Sequence, residues 1–121
     1  MIDRHNLPQY IAEFIGTFFL VFFGCGAIIL SEINPEFSKT VISLVFGGTI
    51  AVMIYSLGHI SGAHFNPVVT FSFWVIKKIS GKKLLFYFFA QFLGAVLGSF
   101  THSIIFGESL RVSYSSWIWL E

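Results

Sequence analysis

Charge is scarce in this sequence. Asp, Glu, Lys and Arg make up 11% of its 121 residues, against about 25% in a typical soluble domain. That deficit excludes an ordinary water-solvated surface as the main boundary of the molecule. The net charge is +1, so no bulk field draws nucleic acid or acidic partners. A lone cysteine, Cys25, excludes an internal disulfide and leaves the redox compartment open. No metal-ligand spacing, nucleophile–base set or phosphate-binding glycine loop is present, so the chain is not expected to be an enzyme and no cofactor is expected.

What is present is apolar. Hydrophobic residues make up 55% of the chain, 16 of them Phe, and the mean hydropathy is +0.81. Three long apolar runs stand out, roughly Ile11 to Leu30, Val41 to Leu57 and Leu84 to Phe106. A membrane-spanning helix needs about 20 mostly apolar residues, with a range of about 17 to 25. Lipid offers no partners to backbone N–H and C=O groups, so spans of this composition are helical. A transmembrane barrel would need alternating polar and apolar residues, and these runs do not alternate. The first run is too long for a cleaved signal peptide, and Glu13 interrupts its start.

Basic residues orient the spans. Arg4 precedes the first; Lys77, Lys78, Lys82 and Lys83 lie between the second and third. Lys39 stands in the first loop beside Glu32 and Glu36, and Arg111 follows the third span. The positive-inside rule puts the N-terminus and the lysine cluster in the cytoplasm and the segment after Phe106 outside.

The second span is followed by Gly58 to Thr70, GHISGAHFNPVVT, which breaks the apolar pattern. A short apolar stretch then runs to Ile76. Asn66 is a good N-cap and Pro67 suits the first helical position. A helix from Pro67 to Ile76 would be about 15 Å long, about half of a 30 Å hydrocarbon core. With Lys77 and Lys78 at its cytoplasmic end, the half-helix would start near the midplane and leave on the side it entered. That describes a re-entrant loop, tolerated only against protein or a water-filled cavity. The spacing alone fits a cytoplasmic loop with a short interfacial helix equally well.

Small residues recur at helical spacing: Ala90, Gly94 and Gly98 in the third span, Ala12 and Gly16 in the first, with Gly24 two turns on. Such stripes let helix backbones approach closely, and packing is their expected role. Glu13, with Thr17 on its face, is too costly in lipid to be idle. It is expected to accept hydrogen bonds from irregular backbone; the bland alternative is an interfacial carboxylate reaching water. Gln91 is open to the same two readings, support of irregular backbone or a plain interhelical bond. His102 is expected at the interface, and Cys25 as a small packing residue.

These residues resemble a known family. Ala12-Glu13-Phe14-Ile15-Gly16-Thr17, continuing through Gly24-Cys25-Gly26-Ala27, resembles the opening span of the aquaporins, the major intrinsic protein family. Gly58 to Thr70 looks like that family's first Asn-Pro-Ala loop, and Ala90-Gln91-Phe92-Leu93-Gly94-Ala95 its third span. The resemblance implies an all-α membrane protein: one aquaporin-like N-terminal repeat over residues 1–121, with three spans, a loop and half-helix over 58–76, and an outer tail over 107–121. It implies passive, single-file passage of water, or of small neutral solutes such as glycerol, in pores that assemble as tetramers in the plasma membrane.

Carried across residue by residue, Asn66 would donate side-chain hydrogen bonds to passing water, with Pro67 and Val68 completing the motif. The carbonyls of Gly62, Ala63, His64 and Phe65 would form a ladder of acceptors. Phe46 would line the constriction; without the alignment it is one more lipid-facing Phe. Glu13, His59 and Gln91 would support the loop. Two features depart from the family pattern. Val68 stands where the motif has Ala. The sequence also carries a single such loop, and the arginine that follows the second loop in the family has no counterpart, since Arg111 does not match it. The expectation is therefore a channel half completed by a second, inverted repeat. A non-conducting fragment and a membrane adaptor regulating channel assembly are the alternatives.

Overall fold

The computed structural model describes residues 6–34 and 36–118, with 108–118 described by their backbone alone. Among the described residues every regular element is helical. Helix α1 (Leu7–Phe19) carries proline in its first turn and runs into a π-helical turn, Leu20–Cys25, and then α2 (Gly26–Ile33). The three form one continuous rod, Leu7–Ile33, apolar and long enough to cross a membrane. It extends beyond the expected Ile11–Leu30 because the apolar run sets only a minimum: Pro8 starts the helix outside it and the helix persists to Ile33.

Helix α3 (Lys39–Ser61) is capped by Ser38, whose hydroxyl accepts a hydrogen bond from the Val41 N–H at 3.4 Å. It ends at Gly62, in the left-handed conformation at φ 87°, whose N–H closes onto the Gly58 carbonyl at 2.9 Å. A left-handed residue after the last turn is the usual helix stop, and glycine takes it without a Cβ clash. Helix α4 (Pro67–Val75) is capped by Asn66. At about 1.5 Å per residue its nine residues extend about 14 Å, so it reaches only part-way through a bilayer. Helix α5 runs Gly81–Ile118, and its first part, Gly81–Gly107, is the third span. The backbone of the segment after Gly107 continues this helix to Ile118.

The spans pack through glycine. A Cβ on Gly94 would fall 2.5 Å from the Phe14 carbonyl oxygen, and one on Gly98 would fall 3.1 Å from that of Phe18. The α1 and α5 backbones therefore meet too closely at Gly94 for a side chain and leave little room at Gly98, as the small-residue stripe of α5 leads one to expect. A core of Tyr10, Tyr87 and Ala90 closes the end of this seam where α1 and α5 begin, with Phe14 and Phe86 packed against it. The Tyr10 ring stacks on Phe86 at 5.0 Å and meets Tyr87 edge-on at 5.9 Å. The glycines of the first span do something else. The Phe65 ring occupies the place of a Gly16 side chain, and the Phe46 ring that of a Gly24 side chain. They are sockets for rings rather than contacts between backbones. None of the most apolar window of α3 is buried within the chain.

Candidate functional site

The loop between α3 and α4 is built around one carboxylate. Glu13 is fully buried. Its Oε1 accepts from the Ser61 hydroxyl at 2.7 Å and the His64 N–H at 2.9 Å. Its Oε2 accepts from the Phe65 N–H at 2.7 Å and from Gln91 Nε2 at 2.8 Å. Four donors from the end of α3, the loop and α5 thus converge on one side chain of α1. A carboxylate in lipid is costly unless its oxygens are saturated in this way.

A second ring of bonds holds the first. The Ser61 hydroxyl accepts from the Ala63 N–H at 3.0 Å, and Tyr87 donates its phenol proton to the Ser61 carbonyl at 2.7 Å. Gln91 Nε2 also donates to the Thr70 hydroxyl at 2.9 Å. Thr70 in turn donates to the Asn66 carbonyl at 3.1 Å. With that proton so placed, His64 Nδ1, 3.1 Å from Thr70 Oγ1, is the donor of its pair. The His64 ring stacks on Phe73 at 4.5 Å and meets Tyr87 edge-on at 5.2 Å.

These bonds stabilise a backbone that would not choose this shape. Ala63 and Phe65 take φ values of 51° and 48°, beside Gly62 at 87°. Left-handed non-glycine residues cost about 1–2 kcal/mol each, and such strain persists only when its surroundings over-determine it. The bonds from His64 and Phe65 to Glu13 supply that, and so does the Phe65 ring seated on Gly16. The consequence lies on the other side of the loop. Among the described residues no hydrogen bond reaches the carbonyls of Gly62, Ala63, His64 or Phe65. Asn66 follows them; its Oδ1 accepts from the Val68 N–H at 2.8 Å, and its Nδ2 has no partner among the described residues. Among the described residues, four acceptors without a hydrogen-bond partner and one free amide donor thus follow one another along the chain.

The other residues singled out from the sequence are placed as follows. Gln91 joins Glu13, Ser61 and Thr70 in the buried network. Val68 is 71% exposed at the start of α4. His59 stands apart, exposed in the last turn of α3 with no hydrogen bond to the loop among the described residues. Phe46 lies fifteen residues before Ser61 on the same helix, about 22 Å along its axis, and packs on Gly24. Cys25 is half-buried at the end of the π-helical turn. His102, expected at the interface, is instead buried, and its Nε2 lies 2.8 Å from the Phe22 carbonyl in the π-helical turn. That turn displaces carbonyls from the ordinary α-helical ladder, and His102 supplies a donor to one of them. Sequence reasoning passed over Ser61, Thr70 and Tyr87. Their types and spacing carry no local signal, because their partners come from other spans.

A helical protein with three spans long and apolar enough to cross a membrane, in which a buried carboxylate fixes the loop before a short capped helix, belongs to the class of polytopic membrane proteins. The family model described as "Major intrinsic protein" matches residues 2–117. Aquaporin NIP1-1 of Oryza sativa subsp. japonica is 40% identical over 102 residues, covering 84% of this chain and 36% of that protein. Aquaporin NIP1-1 of Arabidopsis thaliana is 43% identical over 102 residues, covering 84% and 34%. The lens fiber major intrinsic protein of Lithobates pipiens is 49% identical over 88 residues, covering 73% and 33%. The chain belongs to the major intrinsic protein family, and it spans about a third of the length of these relatives.

Proposed function

We propose that this chain is one half of a passive channel for water or a small neutral solute such as glycerol, completed by a second repeat of inverted orientation. The observation that carries the reading is the row of unpartnered carbonyls from Gly62 to Phe65, ending at the free amide of Asn66. A single file of water gives up most of its own hydrogen bonds, and a row of fixed acceptors and one donor replaces them. The half-helix N-terminus behind Asn66 adds a positive partial charge that opposes cations and leaves neutral molecules unaffected.

One such loop lines only part of a path. The polar groups left facing lipid are costly until covered, and an inverted partner loop would cover them. Phe46 would narrow the path on the side away from the lysines, and Glu13 and Gln91 hold the loop that lines it. In this reading the N-terminus and the lysine cluster face the cytoplasm across a plasma membrane, and completed pores assemble as tetramers.

The test is osmotic shrinkage of proteoliposomes, followed by light scattering. Vesicles holding this chain with an inverted second repeat should shrink faster than empty ones, with a low activation energy. Equal rates for the co-reconstituted and empty vesicles, with insertion of both halves verified, would refute the reading.

A further inference from the structure

The turn between α4 and α5 carries more than orientation. The end of α4 is closed by three backbone bonds: Ile76 N–H to the Ser72 carbonyl at 3.1 Å, Lys77 to Trp74 at 2.9 Å and Lys78 to Phe73 at 2.9 Å. The start of α5 is fixed by Ser80, whose hydroxyl accepts from the Lys83 N–H at 3.2 Å and whose carbonyl accepts from Leu84 at 3.0 Å. Lys77, Lys78 and Lys82 thus sit, exposed, on a short frame anchored at both ends. Lys83 is drawn away, its ammonium 5.2 Å from the centre of the Tyr87 ring.

Two details show that charge at this turn is kept against local preference. Lys77 is left-handed at φ 58°, the position after a helix that glycine normally fills. A side chain there strains the backbone, and the sequence nevertheless places a cation. No acidic residue lies within the turn to neutralise it: among the described residues Glu13 is consumed in the buried network, and Glu32 and Glu36 lie at the far end of the first span. Trp74 is 41% exposed one turn before Lys78, and indoles favour the boundary between headgroups and acyl chains.

We propose that Lys77, Lys78 and Lys82, with Trp74 beneath them, form a binding site for the headgroups of anionic phospholipids. A positive turn of fixed geometry at headgroup depth is complementary to a phosphate-bearing anionic surface. The inference does not rest on conduction by the chain, and it holds whichever leaflet the turn faces.

The test uses the full chain with Trp117→Phe and Trp119→Phe, so that Trp74 is the remaining indole, in vesicles with the same lipids in both leaflets. Brominated phosphatidylglycerol and brominated phosphatidylcholine are compared as quenchers at equal mole fraction. Each lysine near an anionic surface is worth about a five-fold gain in association, so the anionic lipid should bind beside Trp74 at least about five-fold better. The preference should fall to about one in K77Q/K78Q/K82Q, with insertion verified by amide deuterium exchange, and should survive in K77R/K78R/K82R. Lys77→Gly alone should raise thermal stability while weakening the preference. Equal quenching by both lipids, or a preference retained by the glutamine variant, would overturn the proposal.

Discussion

The Phe65 ring fills the space a side chain on Gly16 would need, so the first span and the loop are fitted to each other at the level of one hydrogen atom. Phe65 cannot retreat easily, because its N–H is held at 2.7 Å by Glu13 and its backbone is already left-handed. Gly16→Ala should destabilise the chain by about 1–3 kcal/mol, the usual range for overpacking. Adding Phe65→Leu should recover part of that loss. Thermal unfolding in detergent would decide it: purely additive effects of the two substitutions would mean that the ring and the glycine are not coupled.

Glu13→Gln keeps the shape and reverses the chemistry of one arm. The new amide nitrogen would face either the Ser61 and His64 donors or the Phe65 and Gln91 donors, none of which it can accept from. Leaving a buried donor unmet costs about 1–3 kcal/mol, so a loss of about 2–4 kcal/mol is expected, with increased deuterium exchange at the amides of His64 and Phe65. Full protection of those two amides in the variant would show that the carboxylate does not hold the loop.

Asn66→Asp replaces the free amide donor with a carboxylate at the end of the carbonyl row. Osmotic permeability of the completed channel should drop sharply at equal expression, while Val68→Ala should preserve or raise it. Val68 is 71% exposed, so its truncation should change the stability of the chain alone by less than about 0.5 kcal/mol. A clear loss of flux on Val68→Ala would mean that the partner half has adapted to valine.

His102→Phe removes the donor to the Phe22 carbonyl and keeps a ring of similar size beside Phe22, whose own ring lies stacked on the imidazole at 5.7 Å. About 1 kcal/mol of stability should be lost. His102→Gln, which can still donate, should lose less. If the two variants unfold alike, the hydrogen bond contributes nothing beyond packing.

Gly47 and Gly48 face open space: a Cβ on either meets nothing within 4 Å. In the chain alone Gly47→Ala should be neutral or stabilising by up to about 1 kcal/mol, from helix propensity. Reduced flux on co-reconstitution, with the chain itself as stable as before, would mark this part of α3 as a close approach for the second half. Unaltered flux would place that approach elsewhere.

The spans, the helix cap at Asn66-Pro67 and the suspicion about Glu13 were legible because each has a local cause. Length and apolarity decide a span, proline and asparagine decide a helix start, and a carboxylate in an apolar run demands partners. The identity of those partners was not legible. Ser61, Thr70 and Tyr87 look ordinary in sequence and become linked only when α3, α4 and α5 pack together. The glycines misled in part. Gly94 and Gly98 meet helix backbone as their spacing implies, whereas Gly16 and Gly24 receive rings from residues far along the chain. The π-helical turn over Leu20–Cys25 contains no proline or other local marker, and neither it nor the burial of His102 could be read in advance.

The separation of Glu13 from its last partner has a consequence for biosynthesis. Gln91 lies 78 positions later in the chain, and a ribosome adds about 5–20 residues per second. The carboxylate therefore reaches the bilayer about 4–16 s before its network can close. During that interval the first span depends on the insertion machinery for shelter. The third span is then more than another wall of the fold: its arrival supplies the last donor to Glu13 and the link through Gln91 to Thr70, and a nascent chain halted before it would present the carboxylate with its network incomplete.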